Sequence, residues 1–283
     1  MTSGRLTLGF GYDNGVRIRF WGVRGSVPFA TARSIGHGCN TACIEVKNER
    51  TGATLVLDSG SGIVGLGESL ETRGGPLPIL LTHYHWDHIQ GLPFFAPFYQ
   101  PGWQPTIYAP LIGNVDQAFV ETIFKNPFFP VPFVNLPSRP AVTMLSDREI
   151  NIGGFEVRVQ PLTHPGGAFA YRIKGDAGDL VYATDHEFGN PEVDEALASF
   201  CLNAAALILD AHFTPEELPA HKGWGHASWK QCVEFAAANG AAHLWLFHHK
   251  PGRTDEELAE IASRARHIFP ATAAASEGAC FEV

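Results

Sequence analysis

The sequence contains no uninterrupted apolar run that approaches the roughly 20 residues a helix needs to span a membrane. Its first residues, MTSGRLTLGFGYDNGVRIRF, also lack the basic segment followed by an apolar core that marks a signal peptide. These two absences favour a cytoplasmic protein.

Cysteine is scarce, and its pattern does not suggest a disulfide framework. An odd number of scattered thiols is more typical of reduced cysteines, which agrees with a cytoplasmic protein. The five positions are Cys39, Cys43, Cys201, Cys232 and Cys280.

Positive charge is scarce as well. The formal net charge is −9, and no cluster of lysine and arginine stands out along the chain. Proteins that hold long nucleic acids usually carry a basic stripe that neutralises phosphates. We therefore expect a small-molecule substrate or a short piece of a larger one, and no long nucleic acid, although a local basic groove within an acidic total stays open.

Internal repeats, low-complexity segments and obvious linkers are absent, so we expect one domain spanning residues 1–283. Capping boxes at Ser228/Gln231 and Thr254/Glu257 predict two helices near the C-terminus, with Gly240 ending the first. Apolar, β-branched and aromatic runs predict nine strands. These cover residues 16–21, 42–46, 53–57, 77–81, 155–159, 168–173, 180–183, 205–209 and 243–247.

Residues 92–140 form a region rich in proline and phenylalanine, with runs such as PFFAPFYQPGW and NPFFPVPFVNLP. Frequent proline argues against regular structure there, so we expect an irregular insertion. Its aromatic side chains suit either core packing or an aromatic wall over a pocket, and the sequence leaves both open.

The densest polar cluster is LTHYHWDHIQG at residues 81–91, which places three histidines and an aspartate within six positions. It directly follows a predicted strand. Other histidines and aspartates also follow predicted strands, where α/β-type proteins assemble sites from distant parts of the sequence. They are His164, Asp185, Asp210 and His248.

Neutral imidazole and carboxylate are good ligands for zinc and similar divalent ions. Two such ions a few Å apart need about seven protein ligands, including one carboxylate that bridges them. A hydroxide held between the ions would be a strong nucleophile near neutral pH. The chain supplies this number with His83, His85, Asp87, His88, His164, Asp185 and His248.

The spacing and order of these residues resemble the metal-binding motifs of the metallo-β-lactamase superfamily. The resemblance implies an α+β protein with an αββα four-layer sandwich and a two-metal site at one edge. It assigns His83, His85 and His164 to one metal and Asp87, His88 and His248 to the second, with Asp185 bridging. Asp58, in LVLDSGSGI, resembles an early structural aspartate of the superfamily. Two divalent ions are therefore expected as cofactors, zinc first, with manganese or iron as alternatives.

The segments GWGHAS and LWLFHHKP are similar to the phosphodiesterase branch that contains ribonuclease Z and the phosphoribosyl cyclic phosphodiesterases. The opening FWGVRGSVP and the later GCNTACIEV also resemble this branch. In that branch a histidine in a GHS/T-like turn faces the scissile phosphate, assisted by an acidic residue at a strand end. The resemblance implies that His226 donates a proton to the leaving group while Asp210 orients it. The candidate catalytic residues are therefore Asp87, Asp210 and His226.

Within this branch the sequence predicts a hydrolase for a small or cyclic phosphodiester, such as a cyclic nucleotide or a phosphoribosyl cyclic phosphate. Ribonuclease Z commonly carries a long tRNA-gripping arm between the third histidine and the bridging aspartate, and residues 165–184 leave room for little more than a strand pair. The alternatives are a lactonase or thioesterase, a tRNA 3′-processing endonuclease, and a metal-binding module without activity. The family resemblance also suggests that the protein forms a homodimer.

Overall fold

The computed structural model describes residues 15–70, 74–113, 115 and 117–283. Residues 1–14 of the segment considered as a signal peptide lie outside this set. Fourteen strands are described, namely β1 Val16–Gly22, β2 Cys43–Asn48, β3 Thr54–Leu57, β4 Gly75–Leu80, β5 Trp103–Pro110, β6 Ala141–Leu145, β7 Glu149–Ile152, β8 Phe155–Leu162, β9 Ala168–Ile173, β10 Leu180–Ala183, β11 Ala206–Asp210, β12 Leu244–Phe247, β13 Thr272–Ala274 and β14 Cys280–Glu282. The described helices are α1 Gly62–Ser69, α2 Trp86–Ile89, α3 Gln117–Thr122, α4 Pro191–Cys201, α5 Trp229–Ala238 and α6 Asp255–Ile268.

The strands form two seven-stranded mixed sheets. The first has the order β14-β1-β2-β3-β4-β5-β6, and the second has the order β13-β12-β11-β10-β9-β8-β7. In the first sheet β3 to β6 are parallel, and in the second β10 to β13 are parallel. All nine strands predicted from the sequence are present.

The core between the two sheets is built from alternating apolar residues of both. Ile18 and Phe20 of β1 lie in the same buried cluster as Tyr182 of β10 and Ile208 of β11. A second cluster lies between the second sheet and α4, α5 and α6, and a third lies between the first sheet and α1 with the Pro/Phe-rich region. Helices therefore cover both outer faces, which confirms the predicted four-layer sandwich.

The polar residues named above follow strands that end at the same edge of the two sheets. Asp58 follows β3, and the His83–His88 segment follows β4 in the first sheet. Asp185 follows β10 and His248 follows β12 in the second sheet, while Asp210 is the last residue of β11. Because the carboxyl ends of parallel strands meet at one edge, these side chains converge there.

The expectation that residues 92–140 lack regular structure is wrong in part. Residues Trp103–Pro110 form β5, which pairs in parallel with β4 over residues 103–108 and with β6 over residues 106–110. Pro105 pairs with Leu77 of β4, and the pairing with β6 begins only at Thr106. At Pro105 the strand therefore has a partner on one side only, which is where a residue without an amide donor is tolerated. Other prolines of the region open short 3₁₀ turns, for example Pro93 and Pro97.

Most of the region's aromatic side chains are core. Phe95, Phe98 and Phe124 are fully buried in the third apolar cluster. Phe94 and Phe128, in contrast, are 60% and 67% exposed. Among the described residues, no helix is long and apolar enough to cross a membrane.

Both capping boxes predicted from the sequence are formed. The Ser228 and Thr254 side chains accept from the amides of Gln231 and Glu257, whose side chains accept in return from the Ser228 and Thr254 amides. These caps begin α5 directly after His226 and α6 directly after the loop that contains His248.

Candidate active site

The segment after β4 turns into α2 and presents three histidines in different environments. His83 is buried, and its Nδ1 lies 3.0 Å from the hydroxyl of Thr82. His88 is fully buried, whereas His85 is exposed to solvent. The site is therefore open to solvent on the side of His85 and closed on the side of His88.

A first group of potential ligands consists of His83, His85 and His164, with one ring nitrogen from each lying within 4.8 Å of the others. The Nδ1–H of His164 donates to the carbonyl oxygen of Gly225 at 2.8 Å, which turns its Nε2 toward Nδ1 of His85 at 2.9 Å. Burial lowers the pKa of all three imidazoles. They are held in the neutral form that a metal ligand requires.

A second group consists of Asp87, His88 and His248. The Oδ2 atom of Asp87 lies 3.1 Å from Nε2 of His248 and accepts a hydrogen bond from the Ser26 amide at 2.6 Å. Burial opposes ionisation of Asp87, but His88 and His248 lower its pKa below the usual range. Burial likewise opposes protonation of His88, but the carboxylates of Asp87, Asp185 and Asp58 raise its pKa.

Asp185 lies between the two groups. Its Oδ2 is 3.2 Å from Nε2 of His88, and its Oδ1 is 3.4 Å from Nε2 of His248. The same Oδ1 atom is 3.9 Å from Nε2 of His164 and 4.0 Å from Nε2 of His83. One carboxylate thus reaches ring nitrogens of both groups, which is the arrangement that a bridging ligand needs. The structure brings all seven residues predicted as ligands together.

The arrangement of these donors fits divalent cations. Nε2 of His83 is buried without a hydrogen-bond partner in the described part of the chain. Nε2 of His88 and Nε2 of His248 converge to 3.3 Å. Buried nitrogens without partners are unfavourable, and a cation among converging nitrogens and carboxylates satisfies them. The His/Asp groups therefore suit a dinuclear metal site.

Three of the site residues adopt a backbone conformation that is unusual for residues other than glycine. The φ angles of Asp58, Asp185 and His248 are +57°, +60° and +58°. Asp58 and His248 directly follow a strand, and Asp185 comes two residues after the end of β10, so the chain turns sharply there and directs the side chain into the site. Such conformations cost about 1–3 kcal/mol each and persist only where the surrounding structure holds them.

Asp210 and His226 form a pair beside the proposed bridging residue. The Nδ1–H of His226 donates to Oδ2 of Asp210 at 2.6 Å, and the same nitrogen lies 3.6 Å from Oδ1 of Asp185. Burial opposes protonation of His226, but Asp210 raises its pKa to about 9. The two residues that the resemblance named as partners are therefore in direct hydrogen-bond contact.

His212 belongs to the site, although its importance was not recognised from the sequence. Its ring stacks on that of His226 with centroids 4.5 Å apart and planes 17° apart. Its Nδ1–H donates to the carbonyl oxygen of His248 at 3.0 Å, and its amide donates to Asp210. Burial lowers the pKa of His212 to about 3, so this ring is neutral. In the sequence, its position two residues after Asp210, which ends β11, is the feature that could have indicated a residue of the site.

Two further polar residues near the site have structural partners. Arg24, in the segment FWGVRGSVP, is fully buried and donates to the carbonyl oxygens of Ser34, Gly38 and Arg253. His249 points away from the site and donates to the carbonyl oxygen of Ala275. The guanidinium of Arg24 is therefore occupied by backbone carbonyl oxygens and has a structural role.

Comparison with known proteins agrees with this geometry. A family profile described as "Beta-lactamase superfamily domain" matches residues 66–249. The chain belongs to the beta-lactamase superfamily. A ribonuclease Z from Lacticaseibacillus casei is 26% identical, with the match covering 91% of this chain and 92% of the relative.

Several solved structures share the fold, among them a diphosphatase and a Zn²⁺-bound protein. A diphosphatase of the PhnP family superposes with a TM-score of 0.68 at 18% identity, covering 95% of this chain and 97% of that one. Zn²⁺-bound PqqB from Methylobacterium extorquens superposes with a TM-score of 0.70 at 13% identity, covering 94% and 100%. The predicted superfamily, its fold and the enzyme class of metal-dependent hydrolase are confirmed, together with the similarity to ribonuclease Z and PhnP proteins.

Proposed function

We propose that the chain hydrolyses a small phosphodiester of the cyclic nucleotide or phosphoribosyl cyclic phosphate type. The observation that carries the proposal is the His226–Asp210 pair, which lies beside Asp185 and the converging ligand groups. A hydrolase that cleaves a phosphodiester must protonate an alkoxide as it leaves, and His226, hydrogen-bonded to Asp210, is our candidate for the proton donor.

The proposed ligands follow from the groups described above. One ion would be held by His83, His85 and His164, and the other would be held by Asp87, His88 and His248. Asp185 would contact both ions. When bound, divalent ions supply a nucleophile at neutral pH and stabilise negative charge on the phosphoryl oxygens. Zinc is proposed because imidazole and carboxylate ligands suit it and because PqqB, which shares the fold, binds zinc. Manganese and iron are alternatives.

His226 would donate the proton. Its Nδ1–H is engaged by Asp210, so the Nε2–H of the imidazolium is the one left for the leaving oxygen. Asp210 fixes the orientation of the ring and stabilises its positive charge. The ring of His212 stacks on the ring of His226 and limits the rotation of that ring. Proton transfer from a group held in this way contributes about 10²- to 10⁴-fold to the rate.

Charge and the length of one connection support a small substrate. The net charge of −9 is unfavourable for a long polyanion. Between His164 and Asp185 the chain forms only β9 and β10, with short turns, so no arm projects from this part of the site. The chain is nevertheless 26% identical to a ribonuclease Z over 91% of its length, which makes an RNA 3′ end the second candidate substrate.

A substrate panel tests the proposal. Purified protein of known metal content would be assayed with bis(p-nitrophenyl) phosphate, 2′,3′-cyclic nucleotides, a phosphoribosyl cyclic phosphate, a tRNA precursor, a lactone and a thioester. We expect metal-dependent hydrolysis of the small phosphodiesters. Cleavage of the tRNA precursor alone would favour the second candidate, and opening of the lactone without diester hydrolysis would refute both.

The variant His226→Ala tests the proton donor. Turnover of diesters with an alkoxide leaving group should fall by about 10²-fold or more, because that group needs a proton. Turnover of bis(p-nitrophenyl) phosphate should fall much less, because p-nitrophenolate leaves without one. His267→Ala, at an exposed position of α6, is the control and should match the wild type with both substrates. Equal losses of His226→Ala on both would argue against proton donation.

A further inference from the structure

Residues 223–225 form a glycine turn that leads directly into His226. The φ angles of Gly223 and Gly225 are +85° and +86°, and the Trp224 side chain between them is 61% exposed. Gly223 and Trp224 are exposed, and polar side chains from other segments contact the backbone of the turn on both sides.

Glu187 supplies two of these contacts. One oxygen of its carboxylate accepts from the Gly223 amide at 2.7 Å, and the other accepts from the Gly225 amide at 2.7 Å. Glu187 lies two residues after Asp185, and its own amide donates to the carbonyl oxygen of Thr163 at 2.9 Å. A single side chain thus spans both amides of the turn and connects it to the loops that bear Asp185 and His164.

The opposite side of the turn is held by His164. The carbonyl oxygen of Gly225 accepts from Nδ1–H of His164 at 2.8 Å. The fit is close, because a Cβ atom at position 225 would lie 2.1 Å from that nitrogen. The turn is therefore fixed between Glu187 and His164, and the next residue, His226, is hydrogen-bonded to Asp210.

We propose that Glu187 is a positioning residue for His226, holding the 223–225 turn so that the imidazole stays on Asp210 and faces the leaving group. The role rests on the proposed function, since it acts through the proton donor. Charge-assisted hydrogen bonds from a carboxylate to two amides are stronger than neutral ones and fix the direction of both donors. A displacement of the turn by about 1 Å would move His226 out of its productive position.

Glu187→Gln tests the proposal with little change in shape. The amide group of glutamine has one acceptor oxygen, so its NH₂ would face one of the two backbone donors and that hydrogen bond would be lost. We expect turnover of a diester with an alkoxide leaving group to fall by about 10- to 100-fold, with bis(p-nitrophenyl) phosphate nearly unaffected. The control is Glu195→Gln on α4, whose side chain is exposed, and it should behave as the wild type.

Hydrogen–deuterium exchange gives a second reading that does not depend on activity. In Glu187→Gln the amides of the segment 221–228 should exchange faster than in the wild type, while the bound metal stays at two ions per chain. Unchanged exchange, or equal losses of turnover with both leaving groups, would overturn the positioning role. If the wild type hydrolyses no phosphodiester, the proposed function fails, and the exchange experiment still decides whether Glu187 holds the turn.

Discussion

The Nδ1–H of His88 donates to Oδ2 of Asp58 at 2.8 Å, in a part of the structure where both side chains are fully buried. Asp58 also accepts from the Tyr182 hydroxyl at 2.7 Å and from the amide of Thr82 at 2.8 Å. With Nδ1 engaged, Nε2 of His88 is directed at Asp185 and His248. Asp58 thus sets the orientation of a proposed ligand without belonging to either ligand group.

The first prediction follows from this contact. Asp58→Asn should lower the affinity of the second metal by about 10- to 100-fold, because the neutral amide orients and polarises the imidazole less well. Competitive titration with a zinc chelator would measure the affinity. Asp176→Asn, at an exposed position, is the matched control and should leave it unchanged. Unaltered affinity in Asp58→Asn would show that His88 is held by its packing alone.

Two glycines of one turn provide a second, internally controlled prediction. Alanine at either Gly223 or Gly225 would have to adopt positive φ, which costs roughly 1–2 kcal/mol in the free energy of unfolding. At position 223 the added methyl group meets nothing within 4 Å, whereas at 225 it would lie 2.1 Å from Nδ1 of His164. Only Gly225→Ala should therefore displace His164.

Metal analysis and urea unfolding would separate these two effects. We expect Gly223→Ala to retain both ions and Gly225→Ala to lose at least the ion proposed for His164. Loss of metal from both variants, or from neither, would contradict the prediction that the close contact with His164 is what matters.

Removal of metal should destabilise the fold. Dialysis against a chelator leaves the carboxylates of Asp87 and Asp185 buried without a cation. A ligand present at about 100 times its dissociation constant stabilises the folded state by about 2.7 kcal/mol. Calorimetry should therefore show a fall in the melting temperature that is reversed by adding zinc. A melting temperature that does not respond to chelator or zinc would count against a resident metal.

Glu217 provides a prediction about pH. Burial opposes its ionisation, but the Thr214 amide, Lys250 and Arg253 lower its pKa to about 2. Because this pKa is below its ordinary value near 4.5, the ionised side chain stabilises the folded state above about pH 4.5, and that contribution is lost as pH falls toward 2.

The variant Glu217→Gln removes this contribution. At pH 6 its free energy of unfolding should be lower than that of the wild type by about 1 kcal/mol, since the side chain is partly exposed. The difference should shrink as the pH is lowered from 5 toward 2. Urea unfolding of both proteins across this range measures it, and a difference that is constant with pH would show that the ion pairs with Lys250 and Arg253 contribute nothing.

Local patterns in the sequence predicted many of the secondary-structure elements and the candidate metal ligands of this protein. The Ser228/Gln231 and Thr254/Glu257 pairs specify helix starts through contacts within three residues, so they can be read from the chain alone. The dense THYHWDH segment likewise indicates metal ligands before any fold is known. Strand β5 was missed because its prolines hide a pattern that pairing with β4 and β6 overrides.

The sequence by itself determined the residue types of the site and their places after strands, because ligand chemistry and strand periodicity are local properties. Only the tertiary structure decided which atoms meet. His212 and His226 both lie in the connection between β11 and α5, and their rings stack because this connection folds back so that Phe213 pairs with Ser228. Glu187 reaches the amides of Gly223 and Gly225 from the loop after β10. No sequence spacing encodes these contacts, because they depend on how the loops fold. The contact of His88 with Asp185 joins loops of different sheets, so it forms only when both sheets pack together.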